Sequence, residues 1–244
     1  MDFYTSLAEE DFAKAKFGGE TIFKNKNFLL KKFSIKNSTD SSSTRRDVGD
    51  YYIISYDRKK LGIKRFENAL SSKICDVLKG LVDLSRPLIV GLGNQNVVAD
   101  SLGSQTIDKL SSTRKNNTLL KPSVYGLTGI ESASMVKAVA LSSRPSAVIT
   151  VDTLGCISPD KLFSTVQITT AGITPGEAVG NKRQKIDKNL LGIDVISVGI
   201  PLISYTQEDD IWVTPKEIDV IVERTSKILA DGIKKSCSNK RSFG

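Results

Sequence analysis

The stretch at residues 88–93 reads LIVGLG and guides the interpretation of the whole chain. Three apolar residues in succession predict a short strand that is buried on both faces, as the strands of a parallel sheet are. The glycines that follow allow a sharp turn and leave space above the end of the strand. We therefore predict a central parallel strand that runs into an open loop.

Strand and helix patterns alternate on both sides of this strand, which is typical of an α/β fold with a mostly parallel sheet and helices on both faces. Before it, apolar residues at helical spacing, such as Phe66, Leu70 and Ile74, predict a helix. Thr214 fits the N-cap of a C-terminal helix, and Glu217 fits its capping-box acid. After the central strand we predict helices at 101–110, 132–141 and 215–234, and strands at 124–126, 147–151, 163–169 and 194–199.

The first 62 residues have a different pattern. Residues 27–35 and 50–56 predict two strands that pair as a hairpin. The run STDSSST at 38–44 lies between them and is too polar to pack, so we predict a surface loop there. The chain of 244 residues suits one large domain. We predict a single domain, with 1–62 as a peripheral strand or hairpin layer and 63–244 as the α/β core.

The composition excludes several kinds of chemistry. The sequence contains no histidine, which excludes His-dependent triads, Cys–His dyads and His-ligated zinc sites. Its three cysteines are far apart and odd in number, so we expect neither a disulfide framework nor a metal site. The net charge of +8 is spread along the chain, which predicts a solvated basic surface and argues against nucleic acid as a partner.

No feature of the sequence indicates a membrane or an export signal. No stretch approaches the ~20 consecutive apolar residues that a membrane helix needs. The first residues, MDFYT, carry an acid instead of a basic region followed by an apolar run. We therefore expect a cytoplasmic protein with no membrane partner.

Two aspartates are the candidate catalytic residues. Asp152 comes directly after the predicted strand at 147–151, and Asp100 follows the loop after the central strand. Open α/β sheets bind ligands at the carboxyl ends of their strands, so both carboxyl groups could face one crevice. Each also has a structural interpretation, Asp100 as a helix N-cap and Asp152 as an acid that caps a loop at the end of a strand.

Two glycine-rich loops have competing interpretations. Residues 91–96 begin like a dinucleotide fingerprint, but Asn96 stands where the third glycine belongs and no suitable acid follows about twenty residues on, so this signal is weak. Residues 172–183 read GITPGEAVGNKR and end in two cations. They form either a flexible solvated loop or a segment that closes over substrate and offers backbone donors to an oxyanion.

Several motifs in one order resemble those of the germination protease family, which degrades small acid-soluble spore proteins. So many motifs in one order are more specific than any single one. The resemblance runs from about Tyr4 to the C-terminal helix. The similar segments lie at 91–103, 126–131, 151–152, 165–172, 175–183, 191–201 and 213–217.

The resemblance implies a fold like that of the hydrogenase maturation proteases and an endopeptidase that acts on small acid-soluble spore proteins in the cytoplasm of the spore core during germination. By position in the motifs, Asp100 and Asp152 correspond to the family's two essential aspartates. The resemblance also implies a homotetramer, and we expect no metal or other cofactor. The substrate-binding residues that we predict are Asn94, Gly129, Glu131, Gly180, Asn181, Lys182 and Arg183.

The predicted mechanism is acid–base catalysis by a carboxyl pair. Two carboxylates that lie close together cannot both ionise easily, so the pair holds one proton at working pH. The ionised member takes a proton from water, and the protonated member polarises the scissile carbonyl or protonates the leaving amine. In a variant of this mechanism the aspartates would instead bind a divalent ion that activates water.

The sequence departs from the family pattern near Asp100. Gln95 stands where the family has Trp, Val98 and Ala99 stand where it has Thr-Pro, and Ser104 stands where it has Pro. These differences leave open an alternative function, that of a divergent or inactive homologue that binds a spore protein without cleaving it.

Overall fold

The computed structural model describes residues 7–111, 117–177, 183–206 and 211–238. Within these residues the chain forms nine strands and eight α-helices, together with three short 3₁₀ turns. The strands are β1 (Glu20–Lys24), β2 (Phe28–Ile35), β3 (Gly49–Tyr56), β4 (Leu88–Gly91), β5 (Thr118–Leu120), β6 (Val148–Cys156), β7 (Thr165–Thr169), β8 (Val195–Thr206) and β9 (Ile211–Val213). The helices are α1 (Ala8–Lys14), α2 (Ser38–Thr44), α3 (Lys64–Lys79), α4 (Leu102–Ser111), α5 (Tyr125–Thr128), α6 (Ser132–Ser143), α7 (Lys188–Leu191) and α8 (Ile218–Cys237).

All the described strands lie in one sheet, in the order β1-β2-β3-β7-β8-β6-β4-β5, with β9 paired to β8. The pairs β4–β5, β4–β6 and β6–β8 are parallel, and the other pairs are antiparallel. The predicted α/β class is confirmed, but the expectation of a mostly parallel sheet fits only the four core strands. The sheet is mixed because β7 pairs antiparallel with the core strand β8 and also with β3, so that β7 joins the N-terminal hairpin to the core.

Strand β6 is the centre of the α/β core, and all its residues are buried. Successive side chains of a strand point to opposite faces. Ile149 and Val151 accordingly pack against α3, α4 and α8 on one face. Val148 packs against α6 and α7 on the other. Helices therefore cover both faces of the core sheet, as predicted, and this packing fixes the positions of the ends of the core strands.

The predicted hairpin is confirmed by the antiparallel pairing of β2 with β3. Helix α1 covers one face of it, where the ring of Phe12 stacks on Phe33 with centroids 4.5 Å apart. The surface loop predicted at 38–44 is wrong, because these residues form α2. The Asn37 side chain accepts the Asp40 N–H at 2.9 Å, and this cap begins a helix that composition alone does not indicate.

Two further predictions of local structure are wrong. The strand expected at 124–126 is the start of α5, and the strand next to β4 is β5, a short edge strand with little apolar signal. Helix α8 begins at Ile218, and no capping box forms, because Glu217 makes no side-chain cap bond and a turn from Pro215 precedes the helix. No helix in the described ranges is both long enough and apolar enough to cross a membrane.

Candidate active site

Asp152 lies within β6, at the level where the neighbouring strand β4 has already ended. On its other side β6 continues along β8, and Asp152 is paired with Gly199. The prediction that the strand ends before Asp152 is wrong, because the pairing with β8 carries β6 on to Cys156. The early end of β4 opens space beside the Asp152 carboxyl group, and the residue is 7% exposed.

Asp100 approaches the same space from the loop after β4. It ends the 3₁₀ turn Val98–Asp100, and α4 begins only at Leu102, so the N-cap interpretation is wrong. Its carboxylate instead accepts the backbone N–H of Asn94 at 2.7 Å, which closes the loop on itself. Gly93 has a φ of 91°, and a side chain there would collide with Asp100. The loop therefore requires glycine at this position.

Burial shifts the pKa values of both aspartates upward, and the charge of Asp100 adds to the shift of Asp152. Burial raises the pKa of Asp152 well above its ordinary value, the charge of Asp100 raises it further, and the N–H of Thr153 opposes the rise. Burial also raises the pKa of Asp100 to about 6, although the N–H of Asn94 stabilises the ionised form. The two carboxyl groups therefore retain a proton at a pH where exposed aspartates are ionised.

Both aspartates line a cleft with a volume of about 430 Å³. Ligand sites typically have volumes of roughly 300–1,000 Å³, so this cleft can hold a short peptide segment or a small ligand. One wall is the loop after β4, a second comprises α5 and the start of α6, and a third is the segment from Ile173 to Glu177. The cleft therefore has the position that was predicted for a ligand crevice, beyond the carboxyl end of the central strand.

The residues predicted to bind substrate are only partly brought together. Asn94, Glu131 and Arg183 line the cleft. Gly129 ends α5 with a φ of 68° and does not belong to the cleft lining. The remaining three, Gly180, Asn181 and Lys182, lie outside the described residues.

An ion pair links two walls of the cleft. The Arg183 guanidinium donates to the Glu131 carboxylate at 2.7 Å, and it also lies over the Tyr125 ring, 4.7 Å from the centroid. Arg183 is the last residue of the glycine-rich loop, whereas Glu131 and Tyr125 belong to the α5–α6 wall. The contact places a cation and a carboxylate within reach of a ligand.

Sequence reasoning missed two polar residues at this site. The Thr153 hydroxyl donates to the Ala99 carbonyl at 3.0 Å. Glu177 lines the cleft, and burial raises its pKa although the charge of Arg46 opposes the rise. The sequence carries a signal for both, since Thr153 adjoins Asp152 and Glu177 lies in the glycine-rich loop, but their contacts depend on the tertiary structure.

Burial favours the protonated form of both Asp100 and Asp152. The two carboxyl groups can therefore exchange protons near neutral pH. The described residues include no group of three or more Asp, Glu, Cys or His side chains that could hold an ion.

The fold and the site together define an α/β protein whose cleft holds two buried, interacting carboxyl groups. The family model described as germination protease matches residues 24–208, which is most of the chain. The chain therefore belongs to the germination protease family, and the resemblance predicted from its motifs is confirmed.

Individual relatives agree with this assignment. The germination protease of Bacillus licheniformis is 34% identical over 194 residues, which cover 70% of this chain and 52% of the relative. That of Geobacillus sp. is 35% identical over 216 residues, which cover 79% of this chain and 56% of the relative. The chain thus spans about half the length of the curated relatives it matches. Among solved structures, the NiFe hydrogenase maturation protease HycI from Thermococcus kodakarensis is 22% identical with a TM-score of 0.45, covering 65% of this chain and 99% of that one.

Proposed function

We propose that this protein is an endopeptidase that begins the degradation of small acid-soluble spore proteins during germination, with Asp100 and Asp152 as its acid–base pair. The observation that carries the proposal is the placement of two interacting carboxyl groups with raised pKa values in one open cleft. Membership of the germination protease family supports a peptidase activity and a protein substrate.

The two environments suggest a division of roles. Asp100 has a pKa of about 6 and accepts a backbone N–H, so it is the group that ionises at neutral pH. Asp152 is more deeply buried and lies next to that charge, so it keeps the proton. Asp100 then acts as the general base and Asp152 as the general acid.

The hydrolytic step follows from these roles. Asp100 takes a proton from a water molecule while the water oxygen forms a bond to the scissile carbonyl carbon. Asp152 donates its proton to the reacting peptide, and the C–N bond breaks as the amine leaves with a proton. The pair ends with its single proton on Asp100, and transfer back to Asp152 restores the starting state.

The remaining features of the proposed function come from the family. We propose that Asn94, Glu131 and Arg183 contact the substrate, because all three line the cleft beside the aspartates. A homotetramer located in the cytoplasm of the spore core is the assembly that the resemblance implies.

The experiment that tests this function is cleavage of a purified small acid-soluble spore protein. We expect the wild type to cleave it and Asp152→Asn to lower kcat by roughly 100- to 10,000-fold, the usual contribution of an acid–base group. Asp76→Asn is the matched control, since Asp76 is exposed on α3 and does not line the cleft. Tight binding without cleavage by the wild type would instead support the inactive homologue.

A further inference from the structure

The Thr153 side chain connects the elements that carry the two aspartates. Thr153 follows Asp152 in β6, and its hydroxyl donates to the carbonyl of Ala99, the residue before Asp100, at 3.0 Å. Neighbouring side chains of a strand point to opposite faces, so Thr153 can hold the turn without competing for the Asp152 carboxyl group. Thr153 is 7% exposed, so water competes little for this hydrogen bond.

The hydrogen bonds that Asp100 itself makes lie within its own loop. Its backbone N–H donates to the Val97 carbonyl, and its carboxylate accepts from Asn94. The loop leaves the sheet after Leu92, whose N–H donates to the Val151 carbonyl. Among the described residues, Thr153 supplies the side-chain hydrogen bond that ties the 3₁₀ turn Val98–Asp100 to β6.

We propose that Thr153 is a positioning residue that sets the separation of the Asp100 and Asp152 carboxyl groups through its bond to Ala99. The catalytic consequence rests on the proposed peptidase function, whereas the structural consequence does not. If the bond is lost, the turn is free to move away from β6, and the repulsion that makes the two carboxyl groups share one proton weakens.

The titration of the pair reports this separation directly. Burial raises both pKa values, and the charge of Asp100 raises that of Asp152 further, whereas the N–H groups of Asn94 and Thr153 oppose the rise. Weaker repulsion lowers the higher of the two apparent pKa values of the pair, which brings the two values closer together. The other described titratable or charged side chains that line the cleft are Tyr125, Glu131, Glu177 and Arg183.

The first test is a carbon-13 NMR titration of the aspartate carboxyl groups, assigned with Asp100→Asn and Asp152→Asn. Thr153→Val keeps the shape of the side chain and removes the hydroxyl, and we expect it to bring the two apparent pKa values together. Thr153→Ser keeps the hydroxyl and should titrate like the wild type. Thr150→Val is the matched control, because Thr150 lies in the same strand and bonds Ser197 instead of the turn.

The second test is the pH dependence of cleavage. We expect Thr153→Val to narrow the pH–rate profile. It should also lower kcat about 10-fold with little change in KM, because the reacting groups are slightly misplaced. Thr153→Ser should restore the width of the profile and kcat. An unchanged titration in a folded Thr153→Val protein would overturn the positioning role, even if activity fell. A wild type without peptidase activity would overturn the proposed function, and the NMR titration would still decide the role of Thr153.

Discussion

At the residue scale, the site depends on a carboxyl group that has been removed from water. Asp152 is buried because β6 continues beside β8 after β4 has ended, and its pKa rises for that reason and because Asp100 is near. Ionisation of such a group is costly in the folded state and easy in the unfolded chain. The burial that raises the pKa of Asp152 therefore reduces stability at neutral pH.

The pH dependence of stability tests this conclusion. Because the folded pair binds its protons more tightly than the unfolded chain does, the free energy of unfolding should fall as pH rises from about 4 through the folded pKa values. For Asp100 the rise in pKa from 3.8 to about 6 corresponds to roughly 3 kcal/mol. We expect Asp152→Asn to be more stable than the wild type at pH 7 and of similar stability near pH 4.

Urea unfolding across this pH range is the measurement, with Asp76→Asn as the control that should keep the wild-type slope. A parallel pH dependence for the wild type and Asp152→Asn would show that burial of Asp152 does not raise its pKa. Glu177 also has a raised pKa and contributes to the slope in all three proteins, so only the difference between them is informative.

The residues of the cleft differ in how much of their position the sequence reveals. The placement of Asp100 and Asp152 in one cleft could be predicted, because each follows a buried apolar run and the carboxyl ends of such strands meet at one edge. The bond between Thr153 and Ala99 could not, because 54 residues separate them and the contact exists only once β4 and β6 are side by side. The ion pair between Arg183 and Glu131 could not be predicted for the same reason, since it also forms only in the tertiary structure.

At the element scale, the sequence predicts the helices and strands whose apolar residues are buried at regular spacing. It does not predict an element that depends on a local helix cap. The core strands β4, β6 and β8 and the helices α3, α4 and α6 could be predicted because their apolar residues recur at strand or helix spacing, whereas the short edge strand β5 was missed. Helix α2 could not be predicted from its serine-rich composition, because it depends on the Asn37 cap and one buried residue, Thr44. The mixed sheet was missed because the antiparallel pairing of β7 with β3 and with β8 leaves no periodic signal.

At the scale of the whole molecule, the N-terminal residues are joined to the α/β core by side-chain hydrogen bonds as well as by strand pairing. The Glu10 carboxylate accepts the backbone N–H groups of Ile157 and Ser158 at 2.8–3.0 Å. The backbone N–H of Ala8 donates to the Gln167 side chain at 2.7 Å. We therefore propose that the N-terminal layer and the core form a single domain.

This proposal predicts one cooperative unfolding transition. Trp212 is the only tryptophan and pairs with Tyr205 of β8, so its fluorescence reports on the core. Far-ultraviolet circular dichroism reports on all elements. We expect the two urea transitions to coincide, as they do for a two-state domain. Two separate midpoints, with the core unfolding at higher urea, would show that the N-terminal layer is an independent unit.

The central claim is that Asp100 and Asp152 act as one acid–base pair. Its most direct test is to measure the rate of spore-protein cleavage by four proteins: the wild type, Asp100→Asn, Asp152→Asn and the double variant. Residues that act as one catalytic unit give strongly non-additive losses. If Asp100 and Asp152 share one proton in one reaction step, the double variant should be about as slow as the slower single variant. Losses that multiply, or a single variant with wild-type activity, would contradict the account.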